Sequence, residues 1–135
     1  MTYWNGIKVI KMANDQKIKT EIVNLELNQN TTPSWALEFT NEDTGAKINI
    51  SDWTIFFTAK VKATDSDDDD TAISKTITTH EYGENGIAVI PFTVEDTATV
   101  AEYVYDIKYK DGEGKSDILF RGRLTIVRTV TQRSE

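Results

Sequence analysis

The sequence predicts an all-β fold: an antiparallel β-sandwich of about eight or nine short strands. Three observations lead there. Apolar residues alternate at period two, most clearly in Glu102–Lys110, where Tyr103, Tyr105, Ile107 and Tyr109 share one side and Glu102, Val104, Asp106, Lys108 and Lys110 the other. Turn residues punctuate the chain at short intervals. No long segment carries a helical apolar period. The three tyrosines on one strand face form an apolar surface that a second sheet must cover.

Composition narrows the function classes. With 135 residues, 39% hydrophobic and 27% charged, the chain has the make-up of one globular domain with its own core. Its net charge of −7 argues against nucleic acid and anionic membranes as partners, since both call for a basic surface. There is no cysteine, which removes disulfides, thiol catalysis and zinc–thiolate sites together. No segment approaches membrane-spanning length, and Met1–Lys8 has no apolar signal core.

In chain order, residues 1–21 read as an N-terminal arm or extra hairpin strand, residues 22–131 as the sandwich and residues 132–135 as a polar tail. The arm carries Tyr3 and Trp4, aromatics expected to pack on the body or on a neighbour. Ile7–Met12 and Lys17–Leu27 form two strands around a turn at Ala13–Gln16. In the second, Val23, Leu25 and Leu27 share a face while Ile18 and Ile22 have the opposite parity, which calls for a break near Glu21. Trp35, Leu37 and Phe39 mark the core face of the next strand, and Asn41–Gly45 is a turn with glycine where positive φ is wanted. After a short edge piece at Lys47–Ile50, Trp53, Ile55, Phe57, Ala59 and Val61 make the strongest partner for the tyrosine strand. Thr64–Thr71 is an acidic loop, and Thr71–Thr79 returns with Ile73 and Ile77 inward. Glu81–Gly86 is a turn, and Ile87–Phe92 a strand whose Pro91 belongs at an edge. Val94–Ala101 connects with a single helical turn to the tyrosine strand, Asp111–Gly114 is a hairpin turn, and Ser116–Val130 is the last strand, with Ile118, Phe120, Leu124 and Ile126 on one face.

Two local features resemble an immunoglobulin-like fold. Trp53 sits on a central strand, and Asp96–Tyr105 is similar to the approach to that fold's penultimate strand, with Tyr105 where its cysteine would stand. A broader similarity covers residues 22–131 through Trp35–Gly45, Ile48–Lys60, Asp65–Lys75, Asp96–Thr97, Tyr103–Lys108, Asp111–Gly112, Leu119–Gly122, Leu124–Ile126 and Val130–Thr131. In these runs the chain resembles small bacteriophage structural proteins, among them the immunoglobulin-like N-terminal domain of phage baseplate upper proteins. The resemblance implies an immunoglobulin-like sandwich without a disulfide, in a tail, baseplate or head-decoration component. It implies a virion location after synthesis in the host cytoplasm, other virion proteins as partners and a homo-oligomer in the particle, with no enzyme activity and no cofactor.

The chemistry-bearing residues fit that expectation. His80 is the single histidine, placed beside a turn without a nucleophile motif, and reads as an exposed turn residue. Asp65, Asp67 and Asp69 have the one-three-five spacing of a calcium loop. The sixth position is Asp70 instead of glycine and the twelfth is Thr76 instead of glutamate, so the run reads as a solvated acidic loop with at most a loose calcium site. Trp4, Trp35 and Tyr82 are the candidates for a sugar platform, the basis of an alternative reading as a carbohydrate-binding, host-surface adhesion module; the parity of Trp35 places it in the core. Arg121 and Arg123 share the outward parity of the last strand, as guards against edge pairing or a docking rim for an acidic neighbour. The interaction candidates are therefore Tyr3, Trp4, Tyr82, Arg121 and Arg123.

Overall fold

A computed structural model describes residues 6–12, 20–66 and 71–130. The expected turn at Ala13–Gln16 and the candidates Tyr3, Trp4, Asp67 and Asp69 lie outside these residues. The described strands are β1 (Gly6–Met12), β2 (Glu21–Ile22), β3 (Leu25–Asn28), β4 (Ser34–Asn41), β5 (Thr54–Lys60), β6 (Ile73–Ile77), β7 (Ile87–Pro91), β8 (Ala101–Lys110) and β9 (Ser116–Val127), with one short helix, α1 (Val94–Thr97). They form two sheets: β1-β4-β7, and a larger sheet of order β2-β9-β8-β5-β6 in which β3 also pairs β9. This is the all-β sandwich expected from the sequence.

The sheets are mixed, not wholly antiparallel. β4 to β9 pair antiparallel with their neighbours, but β1 lies parallel to β4, and β2 and β3 lie parallel to β9. The N-terminal segments therefore do not make a hairpin with each other. The chain leaves β1 in the smaller sheet and enters β2 in the larger one, so the two close the same side of the sandwich, where Lys8 Nζ sits 2.6 Å from Glu21. β1 is a strand of the sandwich, with Ile10 and Met12 in its core.

The core lies between the sheets. The alternation of β5 and β8 is met residue by residue: Ile55, Phe57, Ala59, Tyr103, Tyr105, Ile107 and Tyr109 are buried. They face Met12, Leu37, Phe39, Ala88 and Ile90 of the smaller sheet. The aromatic rings meet in the edge-on and offset arrangements that ring quadrupoles favour. Trp53 stacks on Tyr109 at 5.0 Å and meets Phe39 edge-on at 5.1 Å, while Phe57 stacks on Tyr105 at 5.5 Å and meets Phe92 edge-on at 5.2 Å. β5 ends at Lys60, so Val61, whose parity pointed to the core, is exposed. Lys47–Ile50 is no strand: Lys47 makes an isolated bridge to Thr40, and Ile50 is buried from a loop.

A β-bulge in β9 corrects another expectation. Ile107 pairs Phe120, but Lys108 pairs Ile118, which leaves Leu119 as the extra residue. The parity of the strand changes there. Ile118 is half-buried beside the outward-facing Lys108, and Leu119 is buried in its place. The expected break near Glu21 falls at Val23–Asn24. The Val23 N–H donates to the Arg121 carbonyl (2.9 Å), and the Val23 carbonyl accepts from the Tyr105 hydroxyl (2.5 Å). The Asn24 side chain accepts from the Arg123 N–H at 3.0 Å.

On the far side α1 closes the sandwich. Thr93 and Asp96 form a reciprocal capping box, and Asp96 also binds Lys75 of β6 at 2.5 Å. The fully buried Thr97 hydroxyl donates to the Thr31 carbonyl (2.7 Å) and accepts from the Thr31 N–H (3.0 Å), tying α1 to the β3–β4 loop.

The tyrosines set an alkaline limit to stability. Burial raises the pKa of Tyr103, Tyr105 and Tyr109; Glu21 adds to the rise at Tyr105, and Asp117 and Asp111 add to it at Tyr109. The folded values lie above the unfolded value of about 10, so the native state holds these protons more tightly. This contribution is fully present below pH ~10 and is lost as pH rises through the folded values. The melting temperature is expected to fall steeply above pH ~10, and less steeply in Tyr105→Phe. Thermal unfolding followed by circular dichroism across that range checks this; equal slopes in the two proteins would contradict it.

Candidate docking face

The outward residues of β6, β5, β8 and β9 are brought into rows by strand register. One row runs Thr76, Phe56, Lys108, Ile118; the next runs Ser74, Thr58, Asp106, Arg121; a third runs Lys60, Val104, Arg123. Phe56 and Ile118 flank Lys108 in the first row, and Val104, 39% exposed, stands in the third, with Thr58 and Asp106 in the row between. Five cations, Lys60, Lys108, Lys110, Arg121 and Arg123, share this face with three carboxylates, Glu102, Asp106 and Glu26, the last added by β3 beside Thr125. A groove of about 790 Å³ crosses this face, lined among others by Phe56, Lys60, Ala63, Val104, Ile118 and Arg121. In a chain of net charge −7 this is a locally basic surface.

Exposed apolar side chains with arginine beside them are a feature of protein docking patches. The face has limits that chemistry sets. Arg123 donates to Glu102 at 2.9 Å, with both side chains well exposed, so that pair contributes on the order of 0–1 kcal/mol and is free to re-pair. Arg121 stands opposite Asp106 across the strands. The carboxylates interrupt the positive charge, so the face lacks the continuous track that a phosphate backbone requires.

The structure distributes the sequence candidates unevenly. Arg121 and Arg123 are exposed on this face, as their parity indicated. Asp106, on the strand side opposite the tyrosines, is exposed beside these arginines. Lys60, Lys108, Phe56 and Ile118 were not singled out; their outward parity was readable for three of them, but the bulge hid Ile118. Tyr82 lies at the end of the sandwich, half-buried, in a bridge to Ile87. Trp35 is partly buried against Phe120, with ring centroids 5.8 Å apart. The described aromatic side chains are buried or, at Trp35, Phe56 and Tyr82, partly buried. His80 is not the exposed residue expected from its turn. It is half-buried, with Nε2 2.8 Å from the Trp53 carbonyl, a contact that fixes the start of β5. Asp65 is a turn-former: its carboxylate accepts from the Lys62 N–H at 3.1 Å. Among the described residues no group of three or more metal-ligating side chains comes together.

No protein-family model matches the chain, and no curated protein matches it. Among solved structures, the chain is similar to the N-terminal domain of phage TP901-1 ORF48, at 11% identity and a TM-score of 0.41, over 90% of this chain and 98% of that one.

Proposed function

We propose that the protein is a non-enzymatic structural component of a bacteriophage particle, in its tail, baseplate or head decoration, and that it works by docking on other virion proteins. The observation that carries the docking reading is the locally basic outer face of the larger sheet, with Phe56, Val104 and Ile118 among its cations, on an otherwise acidic sandwich. The phage setting is supported by the resemblance of residues 22–131 to phage structural proteins. A closely packed sandwich without disulfides suits the role, because it presents a rigid face and needs no oxidising compartment to fold. The face lies on regular strands, so its side chains are positioned by sheet register instead of by loops.

The test is the presence of the chain in particles purified by density gradient from an infected culture. The chain is expected to co-sediment with them in a fixed ratio to the tail or capsid proteins. A chain found only in the particle-free supernatant would overturn the proposal.

A further inference from the structure

The chain carries an acidic counterpart to its own basic face. The strands place the loops 42–53, 78–86 and 111–115 at one end of the sandwich, since β4, β6 and β8 end there and β5, β7 and β9 begin there. Contacts tie these loops together: the Ile50 N–H donates to the Gly83 carbonyl (2.9 Å), and a Cβ on Gly112 would lie 2.1 Å from the Asp52 carboxylate. Exposed at this end are Glu42, Asp43, Asp52, Glu81, Glu84 and Glu113, with Lys47 and Lys115 as the exposed cations of those loops. Lys115 lies 3.9 Å from Glu113, which spends part of that positive charge.

We infer that the outer face of the larger sheet takes the acidic end of a second copy of this chain. Charge complementarity selects this occupant. The face holds five cations to three carboxylates while the whole chain is at −7, so the rest of the molecule is more negative still. Like-charged regions keep face from face and end from end, which disfavours a two-fold dimer through either surface. Face to end is a head-to-tail contact. It leaves one face and one end unused in every pair, so it propagates into an open chain or closes as a ring. This deepens the docking reading above and rests on it: the second copy is one of the docking partners.

The experiment is sedimentation velocity of the full chain at about 10 mM and about 1 M salt, between which the Debye length shrinks from ~30 Å to ~3 Å. Association to at least about twice the monomer mass is expected at low salt and monomer at high salt. Lys108→Glu on the face and the double change Glu81→Lys, Glu84→Lys on the end alter exposed side chains, and each is expected to give a monomer at low salt with an unchanged melting temperature. An equimolar mixture of the two variants retains one intact face and one intact end, and is expected to recover association at low salt. Wild-type chain that stays monomeric at low salt, or a mixture that stays monomeric, overturns the inference. So does a low-salt mobility shift of a short DNA duplex that Lys108→Glu abolishes, because the face then serves nucleic acid. Failure of self-association with the chain still present in particles would remove this inference alone; absence from particles would remove the reading beneath it.

Discussion

Phe57→Ala is expected to lower the unfolding free energy by about 3–5 kcal/mol, the largest effect of any single change considered for this chain. Phe57 is fully buried at the centre of β5. It pairs with Ile107 across β8 and with Lys75 across β6, and its ring meets both Tyr105 and Phe92. Truncation removes the transfer free energy of the ring and leaves a cavity that two sheets with fixed registers cannot close. Domains of this size have only about 5–15 kcal/mol to lose, so the variant sits near the edge of folding. Urea denaturation at neutral pH measures the loss. A change below about 1.5 kcal/mol would show that the ring cluster is not the centre of the core. Val104→Ala, on the outer face of the same sheet, is the control and is expected to cost well under 1 kcal/mol.

Gly122→Ala is expected to cost about 2–3 kcal/mol, and for a different reason. The glycine sits in β9 opposite Tyr105. A Cβ there would lie 2.2 Å from the Val23 carbonyl oxygen and 2.8 Å from its carbon. The obstacle is backbone and cannot rotate away. Moving it breaks the bond from the Tyr105 hydroxyl and the bond from the Val23 N–H to Arg121 together. The polar groups released inside the edge of the sandwich add their own penalty. The loss is expected to appear locally first: amide exchange at Val23 and along β3 should accelerate more than exchange at Ile107 in the centre of the sheet. Uniform acceleration at all these positions would contradict that account.

How much of this was legible in the sequence depends on which interactions leave a local trace. The inward face of β8 was readable because Tyr103, Tyr105, Ile107 and Tyr109 alternate with charged residues, and a one-residue slip would have buried those charges. The turn at Gly45 was readable because its positive φ of 72° favours glycine. The bulge was not, since Ile118, Leu119 and Phe120 are all apolar and no parity distinguishes them. Nor was the partner of β1, because alternation tells which face of a strand is buried and nothing about which strand lies beside it. His80 was misplaced because its contact, the Trp53 carbonyl, lies 27 residues away.

The same reasoning applies to the docking face. Arg121 and Arg123 stood out as cations on an outward parity. Their company with Phe56, Lys60, Lys108 and Ile118 is a product of three strands in register and one bulge, so it came into view only with the fold. The acidic end has the same origin. Its carboxylates come from three loops far apart in the chain that sheet topology brings together.

On the docking reading, this face is covered when the protein is at work. Amine labelling of gradient-purified particles, compared with the free chain and read at Lys108 by mass spectrometry, tests it most directly. Lys108 is exposed in the isolated chain and stands beside Phe56 and Ile118. Strong protection of Lys108 is expected in the particle, with Lys11, exposed on β1 of the other sheet, labelled as in the free protein. Equal labelling of Lys108 in the two states would contradict it.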